Sequence, residues 1–260
     1  MEWYLYFILV AAGIVAGFIN TLAGSGSLLT LPLLMFIGLP PTVANATNRV
    51  GILVQSIVSS ASFRHQKTFT VRESIWFVIP SVVGSVLGAL IAANFNEQLM
   101  RTIIGFLLLF MFFMILYKPE RWIAADAVNL HKRPKAWVFV VFFLIGVYGG
   151  FIQAGVGFFL LAGLVYGAGV NLVKANALKV FITLSFTIFA FIVFAFAGQI
   201  NYKIGLILAS GNAVGAFMGA RVAVSWGPRF VRVVLLVVVF VSALELTGAL
   251  DFLIGIARSL

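Results

Sequence analysis

The chain contains no cysteine. Disulfides, thiol catalysis and cysteine-based metal sites are thereby excluded. Histidine is almost missing: His65 and His131 are the only two, and both fall in polar connecting stretches. No metal centre is expected from them. Acidic residues number 7, and all charged residues together make up 9% of the chain. A soluble domain carries about 25% charged residues. So few charges exclude an ordinary water-soluble enzyme, and a disordered chain needs the opposite composition. No nucleotide-binding P-loop is present, so ATP coupling within the chain is not expected. Gly24-Ser25-Gly26 resembles part of a nucleophile elbow, but no histidine accompanies it inside an apolar run. The chain therefore reads as a non-enzyme that needs no cofactor.

What it has in excess is apolar surface. Of its 260 residues, 63% are hydrophobic, and the mean hydropathy is +1.16. The net charge of +10 would point to nucleic acid in a soluble protein. Here the basic residues lie mostly in loops between apolar runs, as membrane orientation requires. Nucleic acid is therefore not expected as a partner. Membrane lipid and a small solute are, and self-association into a homo-oligomer is open to such a chain.

Apolar runs cover 4–20, 27–38, 43–62, 74–94 and 98–117, then 136–153, 158–169, 175–197, 203–223 and 230–250. Most reach the roughly 20 residues needed to cross a bilayer as a helix. They are too long and too continuous for the alternating strands of a membrane barrel. The start, Met1-Glu2-Trp3-Tyr4, lacks the positive region of a signal peptide, so the first run is expected to be retained as a span. The runs 27–38 and 158–169 would cover only about 18 Å. They are expected as short spans, half-helices or re-entrant segments.

The polar stretch 118–135 divides the chain, and the two sides match. A shift of 131 brings Gly24-Ser25-Gly26 onto Gly155-Val156-Gly157 and Ala44-Asn45-Ala46 onto Ala175-Asn176-Ala177. The same shift brings Gly84 and Gly88 onto Gly215 and Gly219, and Arg101 onto Arg232. Gly17-Phe18-Ile19-Asn20 matches Gly150-Phe151-Ile152-Gln153 once two extra residues are allowed. The expected organisation is a first repeat over 1–117, a cytoplasmic basic linker over 118–135 and a second repeat over 136–260. With five crossings per half, most basic residues fall on the cytoplasmic side and both termini outside. An odd number of crossings inverts the second repeat. The expected fold is thus an all-α polytopic membrane protein of two inverted repeats, about five helical segments each. Its short interrupted helices would meet near the midplane, a recurring plan of secondary transporters.

Two constellations could carry chemistry. The first is the pair of interruptions. Glycine permits backbone shapes that other residues resist and leaves amides uncovered at the next helix start. Such a start attracts anions. Asn20, Gly24, Ser25, Gly26 and Ser27 form one such stretch, and Gln153, Gly155 and Gly157 the other. The plainer reading of either is a tight turn with close helix packing. The second constellation is Asn45-Ala46-Thr47-Asn48-Arg49 and its mate Asn176-Ala177-Leu178-Lys179-Val180. Asn45, Asn48 and Asn176 offer amide donors, and Lys179 a charge. A cation at membrane depth usually faces a cavity or a partner. The alternative is that Lys179 snorkels to the cytoplasmic interface and Arg49 anchors at the outer one. Glu245, the one acid clearly inside a long apolar run, is a candidate for a coupling proton; the alternative is that it reaches water near the chain end.

The run from Gly17 to Leu34, Gly-Phe-Ile-Asn-Thr-Leu-Ala-Gly-Ser-Gly-Ser-Leu-Leu-Thr-Leu-Pro-Leu-Leu, followed by Ala44-Asn45-Ala46-Thr47-Asn48, resembles the sulfite exporter TauE/SafE family. This group is also called the TSUP transporters. The resemblance extends over nearly the whole chain. It implies transport of sulfur-containing anions, such as sulfite, sulfoacetate or related organosulfonates, across the bacterial inner membrane. The family includes both exporters and uptake systems. Ser25 and Ser27 stand where many relatives are richer in glycine. The expected function is a secondary transporter of small oxyanions working by alternating access. A channel with the same centre, or a membrane accessory subunit without transport, are the rival classes.

Overall fold

The computed structural model describes residues 2–65, 71–116, 136–170 and 172–222. The linker 118–135 with His131, the last apolar run at 230–250 and Glu245 lie outside the described residues. Among the described residues every regular element is a helix. The first half runs α1 (Trp3–Ala23), α2 (Ser27–Phe36), α3 (Pro41–His65), α4 (Val71–Ala93) and α5 (Glu97–Leu116). The second runs α6 (Ala136–Phe151), α7 (Val156–Ala162), α8 (Leu172–Phe196) and α9 (Tyr202–Val222). A single wide π turn over Gly163–Gly167 extends α7.

Among the described residues four segments are long and apolar enough to cross a membrane: Trp3–Leu22, Ser74–Ala93, Lys174–Phe196 and Tyr202–Arg221. The protein is a polytopic membrane protein. Its outer faces carry Phe7, Ile79, Phe106, Phe113, Val140 and Leu206, all more than half exposed. Such side chains suit lipid rather than water. At 10 residues α2 is about 15 Å long, half the thickness of a hydrocarbon core. By contrast α3, at 25 residues, is long but polar, and it is buried. Thr42, Asn45, Asn48, Arg49, Gln55 and Ser56 are all nearly inaccessible on it. Its place inside the bundle explains how a helix with this composition survives in a membrane.

The two halves exchange their helices. The first helix of each packs along the fourth helix of the other: α1 on α9, and α6 on α4. The third helices lie between, α3 against α9 and α8 against α4. These seams are glycine-made. A Cβ on Gly84 would strike the Phe143 carbonyl oxygen, and one on Gly88 that of Val147. The equivalent collisions on the other seam are Gly211 with Val10 and Gly215 with Ile14. Likewise Gly146 and Gly150 abut Ser81 and Ser85, while Gly13 and Gly17 abut Leu208 and Asn212. Gly84 and Gly88 therefore correspond to Gly211 and Gly215, one helical turn away from the pairing with Gly215 and Gly219 expected from sequence. The reason is simple: Gly211, Gly215 and Gly219 form a run at four-residue spacing, so spacing alone admits two registers.

Because the Gly88 contact is with backbone, it cannot relax cheaply. Gly88→Val is expected to cost roughly 1–3 kcal/mol or more and to lower the melting temperature of the detergent-purified protein. Gly105→Ala, where an added Cβ meets nothing within 4 Å, should leave it unchanged or slightly raised. Equal melting temperatures for the two variants would contradict this seam.

Candidate functional site

The glycine-rich interruptions of the two halves touch. Gly24 ends α1 in the left-handed region at φ 77°, its N–H donating to the Asn20 carbonyl. Gly155 precedes α7 at φ 71°. Gly157 N–H donates to the Gly24 carbonyl at 3.1 Å, and a Cβ on either of these two glycines would collide with the other's backbone. Several amides at these two helix starts already have backbone partners. Val156, Gly157 and Phe158 give their N–H groups to the Gln153, Gly24 and Gly155 carbonyls. Leu28, Leu29 and Thr30 give theirs to Ser25 and Gly26. Local turns and the contact between the halves take up these six amides.

These turns leave the carbonyl end of the preceding helix short of partners, since the last carbonyls of any helix lack partners within it. A cation from the opposite half serves each end. Lys179 on α8 points its Nζ at the Asn20 carbonyl (3.2 Å), the Thr21 carbonyl (3.3 Å) and Asn176 Oδ1 (2.6 Å). Arg49 on α3 gives Nη1 to the Gly149 carbonyl (3.1 Å) and Nη2 to that of Gly150 (2.6 Å). One turn before it, Asn45 Nδ2 donates to the Phe151 carbonyl at 2.7 Å. Positive charge at a helix C-terminus complements the helix dipole. Lys179 is 2% exposed and Arg49 0%. Neither snorkels, so the interface-anchor readings of both residues do not hold.

Beside Lys179 lies a narrow polar pocket with room for about one water molecule. Of the residues expected at the site, Asn20, Gly24, Ser27, Gln153, Gly157 and Lys179 line it. The other expected residues stand elsewhere. Asn176 backs the lysine, and Asn45 caps α6. Asn48 Oδ1 accepts from the Thr30 hydroxyl at 2.6 Å, tying α3 to α2. Ser25 is fully buried with its Oγ unpartnered. Gly26 packs against the Ala16 carbonyl and Gly155 against the Met111 sulfur.

Three polar residues of the wall went unnoticed in sequence: Gln55, Ser56 and Thr183. Thr183 had a signal, since Lys179, Thr183 and Thr187 recur every four residues along one helix face. Gln55 and Ser56 both lie about two turns beyond Asn48 on α3, where only the fold reveals which polar residue faces inward. The side chains of Asn20, Ser27, Gln55, Ser56 and Thr183 form no hydrogen bond with another described residue. The wall contains no carboxylate, and its one formal charge is the ammonium of Lys179. Among the described residues no cluster of metal-ligating side chains occurs.

The model of the family described as sulfite exporter TauE/SafE matches residues 9–246. A protein of Sinorhizobium sp named "Probable membrane transporter protein ORF9" is 31% identical, over 95% of this chain and 94% of its own length. A "Probable membrane transporter protein" of Haemophilus influenzae is 28% identical, covering 92% of this chain and 93% of the relative. The Escherichia coli K12 protein named "Probable membrane transporter protein YfcA" is also 28% identical, over 92% and 88%. No solved structure matches.

Since Asn48 is placed as a strut between α3 and α2, Asn48→Ala should destabilise the fold by about 1–3 kcal/mol. The melting temperature of the purified protein reads this. Thr30→Val should show a comparable loss, and the double variant little more than either single one.

Proposed function

The chain belongs to the sulfite exporter TauE/SafE family, a family of membrane transporters, and from that premise we propose that it is a secondary transporter of small sulfur-containing oxyanions. Sulfite, sulfoacetate and related organosulfonates are the substrate class. The observation that carries this reading is the pocket wall: most of its polar side chains have no partner among the described residues, they surround one ammonium, and the lining holds no carboxylate. Such a wall favours negative solutes. Hydroxyl and amide groups can replace part of an oxyanion's hydration shell, and Lys179 supplies fixed charge.

The pocket as it stands is too narrow for such an anion, so loading requires the helices around it to separate. That requirement favours a carrier over a permanently open channel. Rocking of one inverted repeat against the other would expose the pocket alternately to the two sides.

The test is uptake of labelled sulfite and sulfoacetate by proteoliposomes holding the purified protein, with sulfate as comparison. Saturable uptake accelerated by substrate on the opposite side is expected. Lys179→Met should cut flux by about tenfold or more, the scale of losing a hydrogen-bonded charge. Equal flux in wild type and variant would remove Lys179 from the site. Ohmic single-channel currents would favour the channel, and absence of any flux the accessory subunit.

For topology we place the protein in the bacterial inner membrane, with both termini outside and the linker 118–135 cytoplasmic. The lack of native cysteine makes this easy to check. In intact spheroplasts, Glu2→Cys should react with a membrane-impermeant thiol reagent, while Lys132→Cys should react only after lysis. The reverse pattern would invert the assignment.

A further inference from the structure

Arg49 does not line the pocket, yet it bonds a residue that does. Its Nη1 donates to Gln153 Oε1 at 2.9 Å. We propose that Arg49 sets the polarity of the site by holding the oxygen of the Gln153 amide, so that only the amide nitrogen is left for the solute. This rests on the reading that the pocket takes a small anion.

A glutamine amide has one accepting and one donating end, and nothing in its shape says which end faces a cavity. A guanidinium resolves the choice, because it has donors and no acceptor. The atom beside Arg49 must be the oxygen. The nitrogen then turns to Thr187, whose Oγ1 lies 2.7 Å away. One of its two hydrogens is used there, and the second remains available.

Arg49 is itself held on several sides. Two of its nitrogens reach the Gly149 and Gly150 carbonyls, and its guanidinium lies 4.7 Å from the centre of the Phe194 ring. A stacked, doubly anchored fork cannot swing to follow the amide. Gln153 is fixed from the backbone side as well. At φ 65° it is the one non-glycine residue with positive φ among the described residues. Such a conformation costs on the order of 1 kcal/mol and persists when surrounding bonds impose it.

The two buried cations therefore divide the work. Both cap the carbonyl end of a helix from the other half. Lys179 faces the pocket directly, whereas Arg49 acts through Gln153 as a positioning residue. The mate of Gln153 in the first half is Asn20, whose side chain no cation orients among the described residues, because Lys179 takes its backbone carbonyl instead.

The experiment is sulfite uptake by the full-length protein in proteoliposomes, comparing R49K, R49Q, Q153L and the double variant R49Q/Q153L. Lysine still only donates, so R49K should keep KM within about threefold of wild type. Glutamine at 49 can accept as well as donate and lets the Gln153 amide turn, so R49Q should raise KM about tenfold with a smaller change in kcat. Q153L should raise KM by a similar factor, and R49Q added to it should change KM by less than about twofold. Effects that multiply in the double variant, or a wild-type KM in R49Q, would overturn the proposal. If R49Q does not fold, R49K decides: a tenfold rise in KM at an unchanged melting temperature overturns the proposal, and retained affinity supports it. Lack of saturable sulfite uptake by the wild type would instead overturn the transport reading, and this inference with it.

Discussion

Two helices of this protein end inside the bundle, where a cation of the opposite half completes their last hydrogen bonds. An exposed carbonyl end inside a membrane protein is costly, and irregular backbone there persists only when protein satisfies it. The solution is reciprocal. Lys179 of the second half caps α1, and Arg49 of the first half, with Asn45, caps α6. Each half is thus unfinished without the other. The contact of the two broken helices, the burial of two cations and the placing of the pocket all follow from this exchange.

The seams tell the same story in packing terms. α1 and α9 approach backbone to backbone, as do α6 and α4, because glycines remove the side chains between them. In lipid there is little hydrophobic gain from bringing helices together, so close van der Waals contact and hydrogen bonds must hold them. Large side chains gather in two apolar clusters, one around Leu28, Leu31 and Phe194 and the other around Phe142 and Phe186, the second reaching the pocket wall through Val156 and Val180.

The N–H groups of Val156 and Phe158 are taken up by local turns, and that of Gly157 by the Gly24 carbonyl. The hydroxyls and amides of α3 and α8 face the pocket instead, beside one lysine. A site made this way can be tuned by single substitutions on α3 and α8 without disturbing the turns that hold the two halves together.

Much was legible in the residues themselves. The scarcity of charge, the long apolar runs and the central polar stretch determined a helical membrane protein, and matching glycine and asparagine positions pointed to its two related halves. The interruptions at Gly24 and Gly155 were legible as breaks because only glycine adopts their backbone freely. Periodicity could not say which of two glycine registers α9 uses, since Gly211, Gly215 and Gly219 satisfy both. Nor could it tell that Arg49 is buried, that Asn48 is a strut, or that Gln55, Ser56 and Thr183 reach the pocket. Those facts depend on which residue from the distant half stands opposite, and a hydrogen bond spanning 100 residues or more leaves no periodic trace in the chain. Sequence determined where the helices stop; only the tertiary structure decided what completes them.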